Sequence, residues 1–124
     1  MNTKLLGGWG EEQAAKYLID KGYKIIGMNY KNRFGEIDII AENKFVVVFA
    51  EVKTRKDDHF ATAREFVDNG KKARLVLVAG MWICENETEK QPRFDVIEVY
   101  APDGVKTKEP KINHIMNAFN AKGH

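Results

Sequence analysis

Cysteine is almost missing from this chain. The single Cys84 excludes an internal disulfide and suits a reducing compartment; by the burial habits of free cysteine it is expected to be a buried apolar residue. No apolar run reaches membrane-spanning length, and Leu5-Leu6 is too short for the core of a secretory signal. A soluble, cytoplasmic protein is therefore expected. An excess of one charge is also lacking, since 20 basic and 18 acidic side chains leave a net charge of +2, so overall charge does not announce a nucleic-acid binder. There is no internal repeat, heptad run, zinc-ligand spacing or nucleophilic triad, and Gly7-Gly8 is too little for a phosphate loop. What is left is room for one core: 124 residues can fold as a single domain, 1–124, without staples.

The informative stretch is Gly35 to Arg55, GEIDIIAENKFVVVFAEVKTR. Ile37, Ile39 and Ile40, then Phe45 through Phe49, are the β-branched and aromatic types that pack on a pleated surface. Asn43 and Lys44 mark a short turn, so the two runs are expected to pair as an antiparallel hairpin. Alternation along the second strand puts Phe49, Glu51 and Lys53 on one face. With Asn43 and Lys44 at the centre of the turn, Asp38 falls opposite Phe49, Glu51 becomes its diagonal neighbour, and Glu36 falls opposite Glu51.

Two ionised carboxylates at about 4 Å repel by roughly 4 kcal/mol at an effective dielectric near 20. A hard divalent cation removes that penalty, and carboxylate oxygens with a nearby carbonyl suit magnesium or manganese. Asp38, Glu51 and the carbonyl of Val52 would supply such a site, with the Lys53 ammonium one step along the same face, an arrangement suited to phosphodiester cleavage. The spacing is equally met by a plain ion pair between Glu51 and Lys53 at a strand end.

Before the hairpin, Thr3 can cap a helix running to about Lys21 and ended by Gly22. Glu11 shares a face with Ala14, Ala15 and Leu18, which draws its carboxylate toward the protein body; the alternative is a helix-start glutamate favoured by the dipole. A first strand is expected at about Tyr23 to Tyr30. After it, Lys56 to Glu65, carrying His59, reads as a loop. Asp68 to about Glu85 has the length and the Leu75, Val78, Ala79, Trp82 stripe of a helix, with Lys71, Lys72 and Arg74 in its opening turns, although the apolar run from Leu75 to Ile83 also suits a buried strand. Arg93 to Tyr100 alternates as a strand, and Ile112 to Ala121 reads as a short closing helix burying Ile112, Ile115, Met116 and Phe119. Basic residues cluster at Lys53, Arg55 and Lys56 and again at Lys71, Lys72 and Arg74, the kind of grouping that neutralises phosphates.

Asp38 with Glu51-Val52-Lys53, preceded by a helix carrying Glu11, resembles the PD-(D/E)XK nuclease superfamily in its Holliday-junction-resolvase-like branch. More closely, the chain resembles the YraN-like family. The matching pieces include Gly10-Glu11, Gly22-Tyr23, Asn29-Tyr30, Gly35-Glu36-Ile37-Asp38, Phe49 through Arg55, Val67-Asp68, Lys71, Arg93 through Val96 and Asn117-Ala118-Phe119, in order over nearly the whole chain. Ala61 and Ala63 depart from it, standing where that pattern has glycine and proline. The resemblance implies an α/β fold with a restriction-endonuclease-like core, a mixed central β-sheet flanked by helices. It further implies an Mg2+- or Mn2+-dependent endonuclease acting on DNA, branched or junction DNA included, by a homodimer. Asp38 and Glu51 would be metal ligands, Glu11 a third carboxylate and Lys53 the residue assisting the attacking water; Arg55 and Lys71 would contact phosphates. The competing expectation is a nucleic-acid-binding protein that keeps the nuclease fold without cutting.

Overall fold

A computed structural model describes residues 3–56 and 69–119. His59, Ala61, Ala63 and Asp68, with nearly all of the loop read over Lys56 to Glu65, lie outside the described residues. Helix α1 (Thr3–Asp20) is followed by β1 (Lys24–Asn32), β2 (Gly35–Glu42) and β3 (Val46–Arg55), then helix α2 (Asn69–Asn86), β4 (Gln91–Tyr100), a single 3-10 turn (Gly104–Lys106) and β5 (Lys111–Phe119). Helix α1 ends as its sequence requires. Gly22 adopts φ +96, which lets Tyr23 N–H reach the carbonyl of Leu18 and Gly22 N–H that of Ile19, so the last carbonyls of the helix are satisfied by a paired left-handed cap.

The five strands form one sheet in the order β1-β2-β3-β4-β5. All neighbours are antiparallel except β3 and β4, which run parallel. A parallel pair needs a crossover connection, and α2 lies within it. The two faces are covered separately. Ile37, Ile40, Val47, Phe49, Phe94 and Val96 pack with Leu75, Val78 and Trp82 of α2, where the Phe49 and Trp82 rings meet edge to face at 5.7 Å. On the other face Ile39, Ala41, Val48, Ala50, Ile97 and Val99 pack with Ala14 and Leu18 of α1. Each large side chain so buried contributes about 1.5–3 kcal/mol relative to exposure, and both helices are needed because both sheet faces are apolar. This is an α/β fold with a restriction-endonuclease-like core.

Three expectations change, the simplest being that Cys84, expected to be buried, is exposed on α2. The hairpin register is shifted by two residues from the one read off the sequence: Glu42 pairs with Val47, Ala41 with Val48, Ile40 with Phe49 and Ile39 with Ala50. The cause is the turn, because the Asn43 side-chain oxygen accepts from the N–H groups of both Phe45 and Val46, and Asn43 N–H bonds the Val46 carbonyl. That fold-back takes in Phe45 and Val46 as well as Asn43 and Lys44. A shift of two preserves faces, and continuing the register brings Asp38 level with Glu51 itself.

The segment expected as a closing helix is strand β5. Its apolar spacing fits either structure, and the open hydrogen-bonding edge of β4 decides between them, since strand pairing satisfies backbone groups on both sides. Met116, expected in the core, is 56% exposed. Phe94 pairs with Phe119 and Val96 with Ile115, so three residues of β5 oppose Asp95 alone. The Asp95 carboxylate fills the gap by accepting from Asn117 N–H at 3.0 Å, where Asn117 takes φ 53.

Candidate active site

The paired stretch of β2 and β3 ends at Ile39 and Ala50. Ile37 packs on the α2 side and Ile39 on the α1 side, so the alternation breaks at Asp38. One carboxylate oxygen of Asp38 accepts from Val52 N–H at 2.8 Å, which fixes the group across the parting strands. Its side chain also meets Glu51, a buried residue of β3. Burial first, then the charge of Glu51 and that of Glu11, push the Asp38 carboxyl from its ordinary 3.8 up to about 8, against the opposing bond from Val52. Burial and the negative charges beside it thus favour the protonated form of Asp38.

Glu11 arrives from α1. Gly10 makes this possible: a Cβ there would lie 1.8 Å from Thr54 Oγ1 of β3, so only glycine lets the helix lie this close. Asp38 and Asn29 favour the charged form of the Glu11 carboxyl, but burial outweighs them and, with Glu36 and Glu51 adding to the shift, holds it above its ordinary range. Two cations face the acids. Lys53 Nζ lies 3.5 Å from Glu51 Oε1, and Lys71 Nζ from α2 donates to the same oxygen. The Lys53 ammonium is depressed by burial and then by its neighbour Lys71. Burial also disfavours the Lys71 charge, but the hydrogen bond and charge of Glu51 outweigh it and raise this lysine.

Asp38 and Glu51 form the wall between two open hollows. One, on the α1 side, adds Glu11 and Lys53; the other, on the α2 side, adds Lys71, Arg74 and the exposed Glu36. Of the residues singled out in the sequence, Glu11, Asp38, Glu51, Lys53 and Lys71 are brought together. Arg55 is not: its Nε lies 3.9 Å from Glu98, a fully buried carboxylate on β4, and it lines neither hollow. Sequence reasoning missed the influence of Asn29 on Glu11 and the place of Arg74 in the lining of the α2-side hollow. Arg74 was legible only as part of a basic run. Nothing set Asn29 apart from the other polar residues of its strand, Lys24, Lys31 and Asn32.

Among the described residues no three His, Cys, Asp or Glu side chains already surround one point as a cation site. The donors present are nonetheless of the right kind. Asp38 and Glu51 are adjacent carboxylate oxygen donors, and the burial and negative charge that raise Asp38 are what a hard divalent cation would offset.

A mixed sheet with a helix on each face, and acidic groups gathered where two hairpin strands part, defines an α/β protein of the restriction-endonuclease-like class. Residues 10–99 match the model of the Uncharacterised protein family UPF0102. Relatives span the whole length: the UPF0102 protein of Caldanaerobacter subterraneus subsp. tengcongensis is 48% identical over 96% of this chain and 98% of its own. That of Clostridioides difficile is 44% identical over 96% and 100%, and that of Rhodococcus opacus 38% over 92% and 95%. The chain belongs to UPF0102, the YraN-like family.

Proposed function

We propose that the protein is a metal-dependent endonuclease that hydrolyses phosphodiester bonds in DNA, branched or junction DNA included. The observation carrying this reading is the convergence of Asp38 and Glu51, from opposite strands of one hairpin, with Glu11 and Lys53 beside them. Asp38 and Glu51 would hold Mg2+ or Mn2+ with the Val52 carbonyl, and Glu11 would complete that acidic wall. When bound, the ion supplies positive charge to the phosphate and acidifies a water.

The chain's own residues do the rest. To serve as a ligand, Asp38 would be ionised. Lys53, depressed by burial and beside Glu51, orients the water whose oxygen attacks phosphorus as the P–O bond to the leaving strand breaks, the water's proton passing through solvent to the departing oxygen, and it offsets the charge that develops. Lys71 and Arg74, on the opposite hollow, contact flanking phosphates. A homodimer would present two such sites to a junction, and the lone cysteine suits an activity in a reducing compartment such as the cytoplasm. No helix among the described residues is long and apolar enough to cross a membrane.

The observation favouring a nucleic-acid-binding protein that does not cut is the engagement of Glu51 by both lysines, which neutralises it without metal. Cleavage of a panel of four-way junction, flap, duplex and single-stranded DNA with Mg2+ or Mn2+ separates the two. The nuclease cuts at least one substrate and loses this in both Asp38→Ala and Lys53→Ala; binding without cleavage would favour the second reading.

A further inference from the structure

Glu51 is a buried carboxylate, 7% exposed, and a buried negative charge has to be paired. Its two partners are unequal. Lys53, two residues along the same strand, lies 3.5 Å from Oε1, whereas Lys71 makes the closer contact and donates a hydrogen bond to that same oxygen. This second lysine comes from outside the hairpin. It stands in the first turn of α2, which carries no acidic residue there, and a cation at a helix start opposes the dipole. Local preference thus argues against a lysine at this position, and Glu51 supplies the compensating charge. The Lys71 side chain is 29% exposed at the end of a flexible four-carbon stem, so its ammonium can leave Glu51 without moving the backbone. Space is at hand, because Lys71 and Glu51 line the α2-side hollow together with the exposed Arg74, one turn further along the helix.

We propose that Lys71 is a placeholder for the divalent cation: its ammonium holds Glu51 while no metal is bound, and metal loading displaces it into the α2-side hollow beside Arg74. The proposal rests on the metal-site reading of Asp38 and Glu51, and it adds the competition that loading has to overcome. A hard cation on Oε1 and an ammonium donating to the same oxygen bring like charges to short range, so the two exclude each other. The consequence has the opposite sign from that of a residue supporting a ligand, since removing Lys71 strengthens metal binding. The displaced ammonium then faces the hollow where DNA phosphate is proposed to lie, so metal and polyanion favour each other's binding.

The test is Mn2+ titration of the full chain without nucleic acid, by calorimetry, for the unaltered protein and Lys71→Met, Lys71→Gln, Arg74→Met and Glu51→Gln, with thermal melts alongside. Lys71→Met, of similar length without the charge, is expected to bind Mn2+ about tenfold more tightly, the worth of one charge-assisted hydrogen bond. Lys71→Gln keeps a donor to Glu51 and should gain in the same direction, which covers a methionine variant that does not fold. Arg74→Met removes an exposed, screened charge from the same hollow and should change the affinity by less than about twofold. Release itself is read by acetic anhydride labelling and peptide mass spectrometry, in which saturating Mg2+ should raise the reactivity of Lys71 and leave that of Lys72 unchanged. Equal gains in Lys71→Met and Arg74→Met overturn the proposal, as does an unchanged or weaker affinity in both Lys71 variants, or a Lys71 reactivity indifferent to Mg2+, when Glu51→Gln abolishes binding. Equal Mn2+ binding by the unaltered protein and Glu51→Gln would instead show that the metal-site reading itself is wrong, and the placeholder with it.

Discussion

Asp38 carries the largest resolved perturbation in the candidate site, and its consequences can be read without any metal. Its carboxyl binds a proton more tightly in the folded protein, where burial and Glu51 hold it at about 8, than at its ordinary 3.8. Between these values the folded state holds one more proton than the unfolded chain. Its contribution to stability is therefore complete below pH 4 and is lost as pH rises through 8, at roughly 1.4 kcal/mol per unit where the difference is a whole proton. Denaturant melts in the absence of divalent cations should show Asp38→Asn losing this decline and gaining on the unaltered protein between pH 5 and pH 8.5. An identical decline in both proteins would place the extra proton elsewhere. Asp95 has the opposite sign. Burial disfavours its charge, but His114, Arg93 and the Asn117 N–H bond it and hold it below its ordinary range. Its contribution is present above pH 4 and is lost as pH falls through its lowered value.

At the scale of elements, Asp95 holds β5 where the ladder would otherwise fail. Asp95→Ala leaves the Arg93 guanidinium and the Asn117 N–H without that acceptor in a site where the Asp95 side chain is 0% exposed, so a loss of about 3 kcal/mol is expected in urea melts. The helices respond to their own glycines. Gly10→Ala drives a Cβ into Thr54, so a loss of about 1–3 kcal/mol should accompany weaker Mn2+ binding as Glu11 is displaced, with recovery when Thr54→Ala is added. Gly8→Ala meets nothing within 4 Å and should stabilise by about 0.5–1 kcal/mol through helix propensity. Opposite signs two residues apart on one helix would separate close packing from intrinsic propensity.

The molecule as a whole carries a net charge of +2, so affinity for a polyanion depends on where its cations lie. Arg74 is exposed and lines the α2-side hollow. Arg74→Ala should weaken DNA binding evenly across sequences and reduce the slope of log K against log salt by about 0.9, measured by fluorescence anisotropy. A sequence-selective loss with an unchanged slope would mean that Arg74 reads bases instead of phosphates. Arg55, on the same argument, should change that slope little, because Glu98 already faces it.

Local chemistry determined much of this protein. The period of two on β2 and β3, the Gly22 cap and the apolar stripe of α2 are short-range signals, and they located the hairpin, the end of α1 and the side of α2 that meets the sheet. The closing strand was beyond them, because Ile112, Ile115 and Phe119 fit a helix or a strand and only the free edge of β4 decides. The hairpin register depended on a side-chain bond from Asn43 that spacing does not encode. Charge partners were likewise settled in three dimensions: Arg55 went to Glu98 and Lys71 to Glu51, since ion pairing depends on distance across the fold and not along the chain. Residue types and their faces are written in the sequence, whereas which acid meets which cation is fixed only when strands and helices from different parts of the chain close on one another.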